Sequence, residues 1–246
     1  MKLMQTINKI TPFFLGWSET LIWSCLQGCM GNFITDNANN PTAALIVVGD
    51  FCFCGGTPNN ALVAKAAAPI IIPRNEEWEK SIESVWGNNV EKTLRYAFKK
   101  EANIFDLEKL TQYTKSLKEG YHLKLIDEKI YHDIMHDNWS KDLCSQFKDY
   151  SDYNKRGLGI AVVYQDKLVC GASSYTVYNG GIEIEIDTKQ EFRRKGLATA
   201  CAAKLIIECL ERKLYPSWDA HDLRSVALAE KLGYHMDNPY TVYIKK

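Results

Sequence analysis

Apolar and acidic residues alternate through Ile182–Asp187, where every second position is isoleucine. This period of two predicts a strand. In Leu197–Glu211, by contrast, alanine, leucine, isoleucine and cysteine cover a broad side of a predicted helix. The short basic turn Arg193–Ala198 joins the two patterns. The segment is therefore predicted to run from strand through basic turn to helix.

The basic turn combines three features that favour a bound anion. The first N–H groups of a helix have no partner inside the helix, and the helix dipole favours negative charge there. Gly196 allows close approach of a ligand or a backbone conformation that other residues resist, and Arg193, Arg194 and Lys195 add positive charge. The less specific alternative is a capped surface helix whose first turn is basic.

Strand and helix patterns also alternate around this segment, which predicts an α/β (α+β) domain over residues 119–246. The predicted strands are Tyr121–Ile126, Gly159–Tyr164, Leu168–Tyr178, Ser217–Ala220 and Tyr240–Ile244, the last of which closes the sheet. The predicted helices are Glu128–Met135, Lys141–Phe147, Tyr150–Lys155 and Asp222–Leu232. Asp222 suits the N-cap of the last helix, and Gly233 ends it.

Residues 1–118 are predicted to form a smaller domain and a linking helix. Gly49-Asp50 joins two apolar runs, Ala43–Val48 and Phe51–Cys54, as a two-residue hairpin turn. The other predicted elements are helices at residues 5–28 (interrupted by Pro12 and Gly16), Asn60–Ala67, Glu76–Trp86 and Leu107–Leu117, and strands at Phe33–Asp36, Ile70–Ile72 and Thr93–Lys99. The turn at Gly55-Gly56 lacks basic residues, so a plain loop is expected there rather than a second phosphate site.

Composition narrows the class of protein. Thirty basic residues balance thirty acidic ones among 246, so a general nucleic-acid or membrane-surface role is not expected. The apolar runs are too short to span a bilayer. The first residues lack an apolar core followed by a cleavage site, which favours a cytoplasmic protein. The eight cysteines form no Cys-x-x-Cys pair or zinc-like spacing, so reduced buried thiols are expected and no metal.

The pattern Arg193-x-x-Gly196-x-Ala198 resembles motif A of the GNAT acyl-CoA N-acyltransferases, in which this turn wraps the pyrophosphate of coenzyme A. Downstream, Pro216–Asp222 and Ser225–Tyr234 are similar to the family's fifth strand and to its helix ending in Lys-x-Gly-Phe/Tyr. The sequence of these segments also resembles one bacterial branch of the family, which includes an antibiotic-resistance acetyltransferase. The resemblance implies a GNAT fold, a mixed and mostly antiparallel sheet with helices on both faces. The element order of residues 1–118 echoes a degenerate GNAT-like domain.

The resemblance also implies which residues bind acetyl-CoA. The pantetheine arm is expected in the gap between the fourth and fifth strands, and Asp222 stands where the family has an asparagine that contacts this arm. The full implied set is Ile186, Asp187, Thr188, Arg193, Arg194, Lys195, Gly196, Leu197, Ala198, Thr199 and Asp222.

Acyl transfer to an amine needs a base for the amine and an acid for the leaving thiolate. In the family, a carboxylate on the fourth strand acts as base, so Glu183 and Glu185 are the candidates, and one is expected to face the thioester while the other points away. The family's usual acid is a tyrosine, and Ala229 occupies its position here. Nearby substitutes are Ser225, Tyr234 and His221.

The resemblance implies an N-acetyltransferase that uses acetyl-CoA and acts on a primary amine of a small molecule. Two alternatives stay open at this point: a non-catalytic acyl-CoA-binding module, and a protein or peptide N-acetyltransferase. The missing tyrosine is the reason to keep the non-catalytic alternative. No metal, nucleic-acid partner or membrane partner is expected, and the chain is expected to be a monomer or a homodimer.

Overall fold

The computed structural model describes residues 2–246, which divide into two compact units. The first unit contains the residues up to Ala97 together with Asn238–Lys246, and the second contains Phe98–Asp237. The sequence placed a boundary at residue 118, a position that lies within the second unit. Among the described residues, no helix is both long and apolar enough to cross a membrane.

The helices and strands follow each other in mixed order, which confirms the α/β class. The helices are α1 (Lys2–Ile10), α2 (Thr20–Leu26), α3 (Asn60–Val63), α4 (Glu76–Trp86), α5 (Leu107–Lys115), α6 (Glu128–His136), α7 (Tyr150–Arg156), α8 (Leu197–Glu211) and α9 (Leu223–Leu232). The strands are β1 (Asn32–Thr35), β2 (Ala43–Val48), β3 (Phe51–Gly56), β4 (Ile70–Pro73), β5 (Val90–Phe98), β6 (Tyr121–Leu125), β7 (Gly159–Tyr164), β8 (Lys167–Tyr178), β9 (Gly181–Thr188), β10 (Tyr215–Ser217), β11 (Asp219–Ala220) and β12 (Met236–Lys245).

The sheet of the first unit has the order β1-β2-β3-β4-β12-β5. Its centre is the predicted hairpin of β2 and β3, which turns at Gly49 with φ +55. Trp78 of α4 is fully buried against this sheet and donates its indole N–H to Gly56 C=O at 2.9 Å. The Asn75 side chain caps α4 by accepting from Trp78 N–H at 3.1 Å.

The sheet of the second unit has the order β10-β9-β8-β7-β6, with helices on both faces, as the sequence predicted. On one face lies α8, where Cys201 Sγ donates to Ile160 C=O at 3.1 Å. On the other face lie α6, α7 and a 3-10 turn at Lys141–Leu143, and the hydroxyls of Tyr153 and Ser173 are hydrogen-bonded there at 2.9 Å. The sheet is therefore buried on both faces.

β9 is fully paired with one neighbouring strand and only partly paired with the other. β8 pairs antiparallel with it along its whole length, from Tyr178↔Gly181 to Cys170↔Thr188. β10 runs parallel to β9 on the other side but pairs with it only from Gly181 to Glu183. Over Ile184–Thr188, this second edge of β9 has no partner strand in the sheet within the described residues, and we call it the open edge.

Three predicted helices are clearly shorter in the structure, and one of them, predicted at Asn60–Ala67, ends at Val63. Residues 5–28 do not form one helix, because Pro12 lies in the first turn of a 3-10 helix, Thr11–Phe14, and Gly16 has φ +71. The predicted helix Lys141–Phe147 is wrong beyond Leu143. Leu143 packs over Gly171 of β8, and this tertiary contact overrides the helical pattern.

Two strands were misplaced. The fifth strand was predicted at Ser217–Ala220, but β10 is Tyr215–Ser217, and Trp218 interrupts the chain before β11. The last strand was predicted to close the C-terminal sheet, and this is wrong, because β12 pairs with β4 of the first unit through Tyr243↔Ile71. Alternation identifies a strand but not its neighbour. All eight cysteines are free thiols, and seven of them are buried as predicted, whereas Cys29 is half-buried.

Candidate functional site

The basic turn ends in the predicted way at the N-terminus of α8. Gly196 has φ +80 and is the N-cap of the helix, and Arg194 two residues earlier has φ +60. Ala200 N–H donates to Gly196 C=O at 3.1 Å, but among residues 2–246 no backbone acceptor pairs with the N–H groups of residues 194–199. Successive free N–H groups around left-handed residues form a concave anion site.

The space beside the turn also fits a ligand. An added Cβ on Gly196 would meet no atom within 4 Å, so glycine is required there for its positive φ rather than for room. Arg193, Arg194 and Lys195 are all exposed, and the Lys195 ammonium lies 4.5 Å from the Phe192 ring centre. The residues of the turn therefore suit a pyrophosphate, with the N–H groups as donors and the cations around them.

Of the other residues implied at the coenzyme site, Ile186, Asp187 and Thr188 lie half-buried on the open edge of β9. Leu197 and Thr199 are buried in the first turn of α8, and Ala198 is half-buried. The open edge and the first turn of α8 are joined by residues 189–196, which include the charged part of the basic turn, so one extended ligand can reach both.

The acidic residues of β9 share one face of the strand. Glu183, Glu185 and Asp187 are two residues apart, and β9 itself carries no bulge. The prediction that Glu183 and Glu185 face opposite sides is therefore wrong, since alternate residues of a strand point to the same side. The one bulge in this ladder lies on β8, where Tyr175 is the extra residue between Ser174↔Ile184 and Thr176↔Glu183. We call this side of β9 the acidic face.

Glu183 lies at the last residue pair before β9 and β10 separate. It is 5% exposed and is opposite Ser217 of β10. The Ser217 hydroxyl is hydrogen-bonded to the Tyr178 hydroxyl at 2.9 Å. Burial raises the pKa of Tyr178, the hydrogen bond with Ser217 opposes this shift, and the charge of Glu183 adds to it. Thr176 Oγ1 is buried opposite Glu183, and no hydrogen-bond partner for it occurs within residues 2–246. The point where β9 and β10 separate is therefore rich in polar groups shielded from water.

Asp187 carries the perturbed carboxylate of the acidic face. Burial, followed by the charge of Asp142, raises the pKa of Asp187 from its ordinary value of 3.8 to about 6, and Arg193 opposes the shift. Asp142 belongs to the 3-10 turn that covers this face. Sequence reasoning missed Asp142, because nothing in a lone aspartate within a predicted helix indicates that it faces β9.

Ser225 and Tyr234 differ as candidate acids. Ser225 is half-buried at the start of α9, and its Oγ accepts the Trp218 indole N–H at 3.1 Å, which leaves the hydroxyl proton to be donated. Tyr234 is 1% exposed and donates to Pro216 C=O at 2.6 Å. Burial raises the pKa of Tyr234 well above its usual range. Tyr234 is thus committed to the core.

Asp222 has a clear structural role. Its carboxylate accepts from the N–H groups of Arg224 at 2.9 Å and Ser225 at 3.0 Å, which caps α9 as predicted. The same carboxylate is ion-paired with the Arg224 guanidinium. Its contact with the pantetheine arm stays a prediction. His221 is an exposed loop residue. Among residues 2–246, no group of three or more His, Cys, Asp or Glu side chains is placed to hold a metal ion.

Comparison with known proteins places this geometry in context. A model of the family described as GNAT acetyltransferase matches residues 11–243. The protein named "Uncharacterized N-acetyltransferase YdfB" of Bacillus subtilis (strain 168) is 29% identical over 175 residues, which cover 69% of this chain and 63% of that protein. The match therefore spans less than two thirds of that relative's length.

Two solved structures extend the comparison. A GCN5-related N-acetyltransferase-like protein from Streptococcus suis 89/1591 is 40% identical, with a TM-score of 0.95 over 99% of this chain and 100% of that chain. A GCN5-related N-acetyltransferase from Kribbella flavida is 10% identical, with a TM-score of 0.53 over 98% of this chain and 95% of that chain. The second similarity concerns the fold alone.

Proposed function

This chain belongs to the GNAT acetyltransferase family, and from that premise we propose that it transfers an acetyl group from acetyl-CoA to a primary amine of a small molecule. The observation that carries the proposal is one continuous segment, in which the open edge of β9 leads through the basic turn into the N-terminus of α8. The edge offers hydrogen bonds to an extended arm, and the turn offers a site for its pyrophosphate.

In this proposal, the basic turn binds the anionic part of the donor. The N–H groups of residues 194–199 donate to the phosphate oxygens, and Arg194 and Lys195 balance their charge. The pantetheine arm lies along Ile186–Thr188 as an added strand would. The thioester then reaches the point where β9 and β10 separate, beside Glu183 and Ser217.

The acidic face has two tasks in the proposed reaction. Its carboxylates attract the acceptor as an ammonium ion, and one of them removes the proton that the amine must lose before attack. We assign the removal of this proton to Glu183, which is buried where β9 and β10 separate, rather than to Glu185 further along the strand. Ser225 is the proposed hydrogen-bond donor that stabilises the leaving thiolate, because the Tyr234 hydroxyl is bonded inside the core. The thiolate takes its proton from the acceptor nitrogen by way of Glu183.

The test is amine-dependent release of coenzyme A from acetyl-CoA by the purified chain. The acceptors would be a panel of small mono-, di- and polyamines and amino sugars, with a lysine-containing peptide alongside, and mass spectrometry would identify the acetylated product. For variants of the acidic face such as Glu183→Gln, the matched control is Glu191→Gln, since Glu191 is exposed and outside that face. Thiol release without an acceptor is background hydrolysis and does not count as activity.

Each result points to one reading. Acetylation of small amines supports the proposal, and acetylation of the peptide alone would replace it with protein acetylation. Tight binding of acetyl-CoA with no amine-dependent release across the panel would favour a non-catalytic acyl-CoA-binding module. Ala229, at the position of the family's tyrosine, is the observation that keeps this second function under test.

A further inference from the structure

Two backbone groups on the open edge of β9 are hydrogen-bonded to side chains of the same segment. Ile186 N–H donates to Glu185 Oε1 at 3.2 Å. Thr188 C=O accepts from Arg193 Nε at 3.1 Å. The edge that faces no strand of its sheet is therefore covered in part by a carboxylate and a guanidinium.

The register of the ladder explains why these two groups need other partners. Lys189 N–H donates to Val169 C=O of β8 at 3.0 Å. In an antiparallel ladder, alternate residues direct their N–H and C=O groups to the same neighbour. Ile186 and Thr188 lie an odd number of residues from Lys189. Their N–H and C=O groups therefore point away from β8 and toward the open edge.

The two side chains together present the hydrogen-bonding groups of an extended amide. A carboxylate oxygen accepts, as an amide C=O does, and a guanidinium N–H donates, as an amide N–H does. The pantetheine arm of coenzyme A carries two secondary amides. An extended arm laid on a strand edge bonds the same main-chain groups that an added strand would bond. The side chains and the arm thus compete for Ile186 N–H and Thr188 C=O.

We propose that Glu185 and Arg193 occupy the open edge in place of the pantetheine arm and that coenzyme A displaces both when it binds. The inference rests on the proposed function, because it takes coenzyme A as the ligand of this edge. Displacement returns the Glu185 carboxylate to the acidic face and frees the Arg193 guanidinium beside the basic turn. Glu185 is the cleaner residue to test, since Arg193 both competes with the arm and attracts the phosphates.

The experiment measures the affinity of coenzyme A by calorimetry for three forms of the full chain. Glu185→Ala removes the competitor for Ile186 N–H, so coenzyme A is expected to bind about 3- to 10-fold more tightly, the worth of one hydrogen bond. Glu185→Gln keeps an accepting oxygen in the same place but loses the charge. Its affinity is expected to stay within about twofold of the parent.

A second probe separates this effect from simple charge repulsion. Adenosine 3′-phosphate 5′-diphosphate has the phosphates of coenzyme A but no pantetheine arm, so its affinity should be the same for the parent and for Glu185→Ala. Equal tightening of both probes, or equal tightening by Glu185→Ala and Glu185→Gln, would show that charge alone acts and would overturn the inference. Unchanged affinity of coenzyme A for Glu185→Ala would overturn it as well.

The two proposals fail in different ways. If the parent chain binds coenzyme A at the basic turn and Glu185→Ala has no effect, only the displacement is wrong. If neither probe binds the parent chain, the proposed function is wrong, and the inference falls with it.

Discussion

Gly196 shows how a single residue determines the candidate site. Its φ of +80 lies in the left-handed region, which an L-residue occupies at a cost of about 1 kcal/mol or more. Since an added Cβ would meet nothing within 4 Å, the cost of a side chain there is conformational and not steric. Positive φ at Gly196 and Arg194 is typical of turns in which successive N–H groups form a concave anion site.

The first prediction compares two substitutions at Gly196. Gly196→Ala keeps the N–H and should weaken coenzyme A binding by less than about tenfold, in line with a strain of about 1 kcal/mol. Gly196→Pro removes the N–H and fixes φ near −65, so it should abolish measurable binding. Calorimetry with coenzyme A gives the affinities, and circular dichroism checks the fold. Binding of parental strength by a folded Gly196→Pro chain would contradict the assignment of the turn.

The second prediction concerns Asp187 and pH. Burial, then Asp142, raises the pKa of Asp187 from 3.8 to about 6 in the folded chain. Between these values the folded state binds more protons than the unfolded state, so the free energy of unfolding should fall as pH rises through this window. Asp187→Asn should remove that fall and be more stable than the parent at pH 7 by about 1 kcal/mol, after allowing for partial exposure.

Chemical unfolding at pH 4 and pH 7 checks this prediction. The two chains should be of similar stability at pH 4, where Asp187 is largely protonated in the folded state, and should differ at pH 7. Asp142→Asn is the partner control, because it removes only the second cause of the shift and should give a smaller difference. Parallel pH profiles for the parent and Asp187→Asn would refute the prediction.

The third prediction assigns the base. Glu183→Gln should slow amine-dependent turnover by about 10²- to 10⁴-fold, the usual worth of a positioned general base. Turnover should recover in part at high pH, where the free amine is abundant. The affinity for coenzyme A should hardly change, because the basic turn and the open edge provide it. The assay needs an acceptor from the amine panel, and parental turnover by Glu183→Gln at neutral pH would rule this residue out.

At the scale of elements, the fourth prediction distinguishes two roles of Asp222 at the start of α9, capping the helix and binding coenzyme A. Asp222 caps this helix through two backbone N–H groups, whereas the family resemblance implies a contact with the pantetheine arm. If the cap is its main role, Asp222→Ala should lower the free energy of unfolding by about 1 kcal/mol, and Asp222→Ser should restore it. Both variants should bind coenzyme A like the parent. A loss of affinity in Asp222→Ser, despite a restored cap, would support the contact with the arm.

Local patterns carried the prediction of the central elements. The alternation in Ile182–Asp187 and the broad apolar side of Leu197–Glu211 gave β9 and α8, and the bounds of α8 match the prediction. Both signals are local, because one face of each element must be buried. β10 was misplaced because Trp218 leaves the ladder to pack against Tyr234 and to donate its indole N–H to Ser225, and local alternation does not reveal these tertiary contacts.

The geometry of the site was less predictable than its location. The residues of the basic turn were predictable from charge and glycine, but the hydrogen bonds from Glu185 and Arg193 to the open edge depend on where β10 ends. Asp142 reaches β9 only because the predicted helix stops at Leu143. Sequence therefore identified the strand, basic turn and helix, whereas the arrangement of the acidic face required coordinates.

At the scale of the whole molecule, the two units differ in how their parallel strands pair. In the first unit, β3 and β4 stay paired from Phe51↔Ile70 to Cys54↔Pro73, through all of β4. In the second unit, β9 and β10 separate after Glu183↔Ser217. The first unit follows the strand and helix order of a degenerate GNAT-like domain, which stays a prediction. Its paired strands leave no gap between them for an extended arm.

The last prediction is that the chain binds one coenzyme A. The turn after β3 leads into α3, a helix of only four residues, and within the described residues this turn carries no basic side chain. Phe14 packs against Gly55, and Gly56 C=O already accepts the Trp78 indole N–H, so the backbone there is covered. Calorimetry with a chain of known active fraction should therefore give a stoichiometry of one.

Gly196→Pro makes this measurement decisive. If the only site lies in the second unit, the variant should bind no coenzyme A, because it disrupts the basic turn and leaves the first unit intact. Circular dichroism would report whether the variant is still folded. A stoichiometry of two for the parent that falls to one in Gly196→Pro would locate a second site in the first unit. That result would overturn the expectation that fully paired strands and a four-residue helix cannot hold the coenzyme.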